Sequence, residues 1–291
     1  MNHKIAICYF SGTGNTAYVV ELARDALARS GAGVELFKIE DLRGKSEDEF
    51  DPIRYDMLGI AHPVLGFDCP GFIYDFVRAL PPTENKPVFL LKTAGDYHAV
   101  NHSASHSIKR ILTRKGYDPF YDEIVAMPVN WLMAFDDQLN RQIVEAAPGR
   151  VHAAVRRILA YERRPLSNIL PLRLILKFVG YLEDRQGAKQ FGRYLRAGAS
   201  CTLCGKCARS CPAGNIVLNN DKVAFDNACV WCMRCIYSCP QKAIDNKYMN
   251  LFILKGGYSL SHIRALKLEP IDFRKPQLPF WHKYFRRYFN K

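Results

Sequence analysis

No uninterrupted apolar stretch in these 291 residues is long enough to cross a bilayer. The best candidate, Ile169 to Leu182, falls short of the roughly 20 residues that a spanning helix needs, and Arg173 and Lys177 break it. A secretory leader is missing too. The short apolar run within Met1 to Phe10 opens into a glycine-rich loop instead of a cleavage site. Both absences lead us to expect a cytoplasmic protein. No constellation of general acid, base and nucleophile stands out, which argues against hydrolase or transferase chemistry. Nor does any stretch carry the signature of a third catalytic domain.

Negative charge is in short supply: 28 Asp and Glu face 41 Lys and Arg, a net of +13. The imbalance is local. Residues 1–150 hold 16 basic against 20 acidic side chains, residues 151–200 hold 10 against 3, and residues 246–291 hold 10 against 2. The basic excess therefore lies in a connector and a tail. Those segments read as docking surface for an acidic redox partner protein, with peripheral membrane contact as a second use; nucleic-acid binding is not expected. Length and a 48% hydrophobic content suit two domains with real cores.

Cysteine is abundant by contrast. Eight of the ten fall into two copies of C-x2-C-x2-C-x3-C-P: Cys201, Cys204, Cys207 and Cys211, then Cys229, Cys232, Cys235 and Cys239, each 28 residues on. Zinc sites or a disulfide framework are the plainer readings of so many thiols. The repeat resembles that of bacterial-type ferredoxins, which hold two 4Fe–4S clusters. That resemblance implies a crossover, with Cys201, Cys204, Cys207 and Cys239 on the first cluster and Cys229, Cys232, Cys235 and Cys211 on the second. It also implies a reducing, anaerobic or oxygen-protected setting. Cys8, within a strand-like run, reads as core, and Cys69, with no second cysteine near it in the sequence, is not read as redox-active.

The first half alternates strand and helix patterns. Residues 4–10 form a nearly continuous apolar run, as in a parallel strand buried on both faces. It leads into Ser11-Gly12-Thr13-Gly14-Asn15-Thr16, after which Val20, Ala23 and Leu27 mark a helix stripe. Strand, hydroxyl- and glycine-rich loop, and helix together form a phosphate cradle. The same stretch matches the dinucleotide fingerprint G-x-G-x-x-A at Gly12, Gly14 and Ala17, with Glu40 and Asp41 placed for a ribose. Three interleaved hydroxyls favour a terminal phosphomonoester, hence FMN over a dinucleotide. Further strands are expected at 34–39, 57–61, 88–91 and 124–127, with helices at 71–80 and 103–115. Five strands alternating with helices predict a doubly wound α/β parallel sheet, with ligand loops converging beyond the strands' carboxyl ends. The histidines at 98, 102 and 106 share a helical spacing and are read as a solvated helix start rather than metal ligands.

Residues 1–145 resemble a flavodoxin, and the whole is similar to a flavodoxin–ferredoxin fusion of anaerobic bacteria and archaea. By that resemblance the loop with His62, Pro63, Val64 and Gly66, and the loop with Thr93, Ala94, Gly95 and Tyr97, would hold the isoalloxazine ring. Tyr97 is the obvious stacking residue and Phe67 a second. Residues 146–199 read as a helical connector, with a break at Pro148-Gly149 and turns at Pro165 and Pro171. A small α+β ferredoxin-like domain is expected at 200–246, and a basic, aromatic extension at 247–291 that folds back and buries its rings against the domain it follows. Together these features predict electron transfer between FMN and two 4Fe–4S clusters and on to a redox partner. Two alternatives stand beside it: a flavin-dependent reductase of a small molecule, and a redox-sensing binding protein that uses its basic tail.

Overall fold

The computed structural model describes residues 3–42, 50–166, 170–275 and 277–290. Met1, Ile169 and Lys291, the outer ends of three expected segments, fall outside these. Strands β1 (Lys4–Tyr9), β2 (Gly33–Lys38), β3 (Met57–Pro63), β4 (Lys86–Ala94) and β5 (Tyr117–Ala126) form a parallel sheet in the order β2-β1-β3-β4-β5. That is the flavodoxin-like order, with its switch point between β1 and β3. Alternate side chains of β1 serve opposite faces, as a doubly covered sheet requires. Ile5, Ile7 and Tyr9 join a core with α1 (Asn15–Arg29) and α4 (Asp137–Leu159). Ala6 and Cys8 join one with α2 (Gly71–Ala79) and α3 (His106–Arg114).

Three expectations need correction. β5 begins at Tyr117, well before the strand end legible around Ile124. Pro119 lies inside it, tolerated because β5 is an edge strand, and the register with β4 shifts at Val88/Phe89. Pro148-Gly149 does not break the chain: α4 runs through both. Leu139, Ile143, Ala147, Val151, Val155 and Ile158 are buried on either side of the proline. This continuous stripe outweighs the local cost of about 3 kcal/mol for an interior proline. The core shared with α1 thus runs along α4 as far as Ile158. Pro171 likewise sits in the first turn of α5 (Leu170–Leu182), where a proline costs no hydrogen bond.

The second half is smaller. After α6 (Lys189–Arg193), β6 (Leu195–Ala197) pairs with β9 (Ile244–Asn246), and β7 (Ile216–Leu218) with β8 (Val223–Phe225), both antiparallel. The short helices α7 (Lys206–Arg209) and α8 (Arg234–Tyr237) lie between them. α9 (Leu260–Ala265) and α10 (Phe280–Phe289) follow. The tail does fold back, but onto the first domain: Phe285 and Tyr288 are buried with Ala126, Phe135, Leu139 and Ile143. No described helix is long and apolar enough to cross a membrane.

Candidate functional site

Every loop beyond the carboxyl end of β1, β3, β4 and β5 opens on one cleft of about 390 Å³. Ser11, Gly12, Thr13, Asn15 and Thr16 line one end, and Pro63, Val64 and Gly66 with Thr93, Ala94 and Gly95 line the walls. The fourth wall is the segment 128–133 after β5, including Asn130 and Trp131. Sequence patterns point to no site there, although it obeys the same rule as the other three loops. It is tied to the cradle directly: Asn130 donates to the Thr13 hydroxyl at 2.6 Å, and Asn15 donates to the Pro128 carbonyl at 3.0 Å. Tyr258 hydrogen-bonds the other side of the Asn15 amide. Thr16 shares a 2.7 Å hydrogen bond with Thr93, joining the β1 and β4 loops. Gly14, left-handed at φ 99°, turns the chain into α1 and accepts from the Tyr18 amide rather than lining the cleft.

Three residues expected at the ligand lie elsewhere. Tyr97 faces α10: its hydroxyl donates to the Tyr284 carbonyl at 3.0 Å, and its ring packs on Tyr284 and Tyr288 at 5.2 and 5.0 Å. Packing against the returning tail buries this ring away from the cleft, whose aromatic lining is Phe67, Trp131, Phe135 and Trp281. His62 is fully buried on the α3 side of the sheet, with Nδ1 donating to the Pro63 carbonyl. Glu40, placed in sequence for a ribose, accepts instead from Arg234 at 2.5 Å.

Burial, with a smaller contribution from nearby Lys92, holds the His62 imidazole down at about 4. Its folded value lies below the unfolded one, so protonation favours unfolding, and stability falls as pH drops from about 6.5 toward 4. Between pH 7 and pH 5 this amounts to about 2 kcal/mol. Urea unfolding at the two pH values is expected to show that loss, and the His62→Leu variant to lack it. Lys92, also fully buried, is neutralised where it lies: Asp122 at 3.0 Å, the Ser105 hydroxyl at 2.9 Å and the His102 carbonyl at 3.0 Å surround its ammonium. Burial alone would raise Asp122, but Lys92, Lys109 and the Ser105 hydroxyl hold it below its ordinary value.

The cysteine repeat is also a backbone repeat. Leu203 and Trp231, at equivalent positions, are both left-handed (φ 52° and 59°), as are Gly205 and Met233 (φ 70° and 60°). Asn215 donates its amide to Cys211 Sγ at 3.3 Å, and the equivalent Ala243 donates to Cys239 Sγ at 3.4 Å. Cys201, Cys204, Cys207 and Cys239 line one small cavity, and Cys211, Cys229, Cys232 and Cys235 a second. Burial pushes Cys232 up to about 11 and Cys229 up to about 12, so ionised sulfur there calls for a bound cation. Four sulfurs around each cavity, with amide donors aimed at them, fit a cubane cluster. Among the described residues, no three His, Cys, Asp or Glu side chains converge on a single metal ion.

Cleft and second cavity share a wall. Cys232 lines both. Gly12 lies so close that a Cβ there would stand 2.3 Å from the Cys232 carbonyl oxygen. Arg234 crosses the same seam, donating to the carbonyls of Ser11 at 2.7 Å and Ser210 at 2.9 Å while paired with Glu40. Trp131, Trp231 and Phe252 pack together beside it, with ring centroids 5.0–5.6 Å apart.

The 4Fe–4S dicluster domain family matches residues 200–244. No curated protein matches the chain. Among solved structures, the first half is similar to the Streptococcus pneumonia TIGR4 flavodoxin (15% identity, 54% of this chain and 98% of that one, TM-score 0.40). It is also similar to oxidised Flavodoxin 2 from Bacillus cereus (19%, 53% and 99%, TM-score 0.39). A third similar structure is an NAD(P)H:quinone oxidoreductase from Methanothermobacter marburgensis (15%, 54% and 100%, TM-score 0.40). Strand order in the first half and the cysteine repeat in the second give the assignment its basis: the chain joins a flavodoxin-like N-terminal domain to a 4Fe–4S dicluster domain.

Proposed function

We propose that this protein carries electrons along one internal path, between FMN in the cleft of the first domain and two 4Fe–4S clusters on the cysteine repeats, and exchanges them with a partner protein. The observation that supports this most is that Cys232 belongs to both the cleft and the second cavity. When bound, the flavin supplies one- and two-electron chemistry and each cluster one-electron exchange. Ser11, Thr13 and Thr16 would hold the phosphate with the backbone amides of their loop and the N-terminus of α1. Ser11 Oγ is buried without a hydrogen-bond partner among the described residues, as a hydroxyl kept for a ligand would be. Segments 63–67, 93–96 and 128–133 would hold the ring. Cys201, Cys204, Cys207 and Cys239 would hold the first cluster, and Cys211, Cys229, Cys232 and Cys235 the second.

Exposure differs between the two cavities. Cys204 of the first is exposed, whereas the four cysteines of the second are half-buried and its Cys232 lies against Gly12 of the first domain. The first cavity is thus the port for a partner, and exposed Lys206 and Arg209 beside it suit an acidic one. Nucleic acid has no part in this reading, and free cysteines in this number suit a reducing cytoplasm. Anaerobic reconstitution tests it by counting iron, sulfide and flavin. About eight iron, eight sulfide and one FMN per chain are expected. Eight iron with no FMN uptake would overturn the assignment of the first domain.

One feature favours a second reading, reduction of a small molecule. A larger cleft of about 880 Å³, lined by Cys239, Lys242, Lys255 and His262, adjoins the flavin cleft through Val129, Leu132, Met133 and Phe135. Stoichiometric reoxidation of the flavin by a defined compound, with no other protein present, would establish this reading over the first.

A further inference from the structure

α5 presents to solvent a face that the rest of the fold leaves bare. Leu170, Leu174, Ile175 and Phe178 are 56, 58, 61 and 62% exposed, while Leu176 and Gly180 turn inward. At 3.6 residues per turn Leu170, Leu174 and Phe178 follow one line, with Ile175 and Leu182 beside it, so the exposed side is continuously apolar. A lone exposed leucine is ordinary, but a row of this kind marks a surface that something covers. The helix is seated firmly. A Cβ on Gly180 would stand 2.8 Å from the Gly66 carbonyl oxygen, so its backbone rests on the loop that walls the flavin cleft.

Cations gather along one edge of the helix. Arg173 and Lys177 lie on α5 itself, and Lys109 and Arg110 of α3 come close enough for all four to act on His106 through space. Lys109 is engaged by Asp122 at 2.8 Å, which leaves the other three to face outward or along the seam. An apolar face of Leu, Ile and Phe edged by Arg and Lys, on a helix of 13 residues, is too short to span a bilayer and suited to lying in its interface. The charge complement of such a rim is a sheet of phosphates rather than a single carboxylate, and the net charge of +13 adds long-range attraction to it.

We infer that α5 docks this protein on an anionic lipid surface, with Leu170, Leu174, Ile175 and Phe178 in the acyl boundary and Arg173, Lys177 and Arg110 against headgroup phosphates. Because α5 rests on Gly66, docking brings one wall of the flavin cleft to the bilayer. The inference stands on residues outside both cofactor sites and does not depend on what fills them.

The test uses the full chain, reconstituted anaerobically, mixed with sedimentable vesicles of phosphatidylcholine alone or of equal parts phosphatidylcholine and phosphatidylglycerol. Salt-sensitive binding to the anionic vesicles is expected. It should weaken roughly tenfold or more in Leu174→Asp/Phe178→Asp, with iron and flavin content unchanged. The Arg173→Gln/Lys177→Gln variant keeps the apolar face and should lose the preference for anionic over neutral vesicles. Equal binding by wild type and Leu174→Asp/Phe178→Asp would overturn the inference. So would failure of the wild type to bind either vesicle, and a dimer abolished by the same variant would then identify a second copy as the cover.

Discussion

Replacing Arg234 with alanine is expected to destabilise the protein by about 3–5 kcal/mol. The guanidinium touches the loop after β1, the first-copy cysteine loop and a carboxylate together: Ser11 and Ser210 carbonyls at 2.7 and 2.9 Å, Glu40 at 2.5 Å. Both charged side chains are largely buried, 21% and 10% exposed, so removing one strands the other. The cost comes chiefly from the orphaned Glu40 rather than from the lost attraction. Anaerobic denaturant unfolding measures it. The double variant Arg234→Ala/Glu40→Gln should recover much of the loss, because an amide tolerates burial better than an unpaired carboxylate. Arg234→Lys should recover little, since one ammonium cannot reach three acceptors set around a planar fork. A single variant with wild-type stability would mean that the two domains dock without this seam.

The cysteine repeat is legible in the sequence because its ligands are local: each string spans a dozen residues, and its left-handed positions recur with it at Leu203 and Trp231. The glycine- and hydroxyl-rich loop after β1 is legible for the same reason, strand and helix flanking it directly. What stays hidden depends on distant contacts. Glu40 and Arg234 lie 194 residues apart, and nothing local distinguishes a ribose-binding carboxylate from one paired with arginine. Tyr97 sits in the loop that the topology aims at the ligand, yet α10 returns from the far end of the chain to cover it. Trp131 follows a strand whose end is legible at 124–127, yet its segment, 128–133, has no glycine or hydroxyl pattern to mark it as a cleft loop. Pro148 misleads in the opposite sense. Local rules favour a break there, and the buried stripe from Leu139 to Ile158 overrides them.

Gly12→Ala should damage both the cleft and the second cysteine cavity with a single methyl group. Its backbone is not left-handed, so alanine is locally acceptable there. The obstacle is tertiary: the new Cβ would stand 2.3 Å from the Cys232 carbonyl oxygen and 3.1 Å from its Cβ. Neither neighbour is the free end of a flexible side chain. Cys232 is held by the fold of its repeat, and Gly12 by a loop fastened through Thr13 to Asn130. Relief therefore requires the two domains to part along the seam, at a cost of roughly 3 kcal/mol or more, the upper range for overpacking. Gly149→Ala provides the contrast. It lies within α4, and its new methyl group would meet nothing within 4 Å, so alanine should stabilise the protein by about 0.5–1 kcal/mol. Unfolding of the two variants measures the stability difference, and flavin titration with cluster absorbance locates the damage. Loss of flavin affinity together with cluster content in Gly12→Ala, against no change in either for Gly149→Ala, is the expected result. Flavin loss alone would mean that the cradle yields while the cysteine loop holds. Such an outcome would break the physical link between cleft and second cavity on which the proposed path for electrons depends.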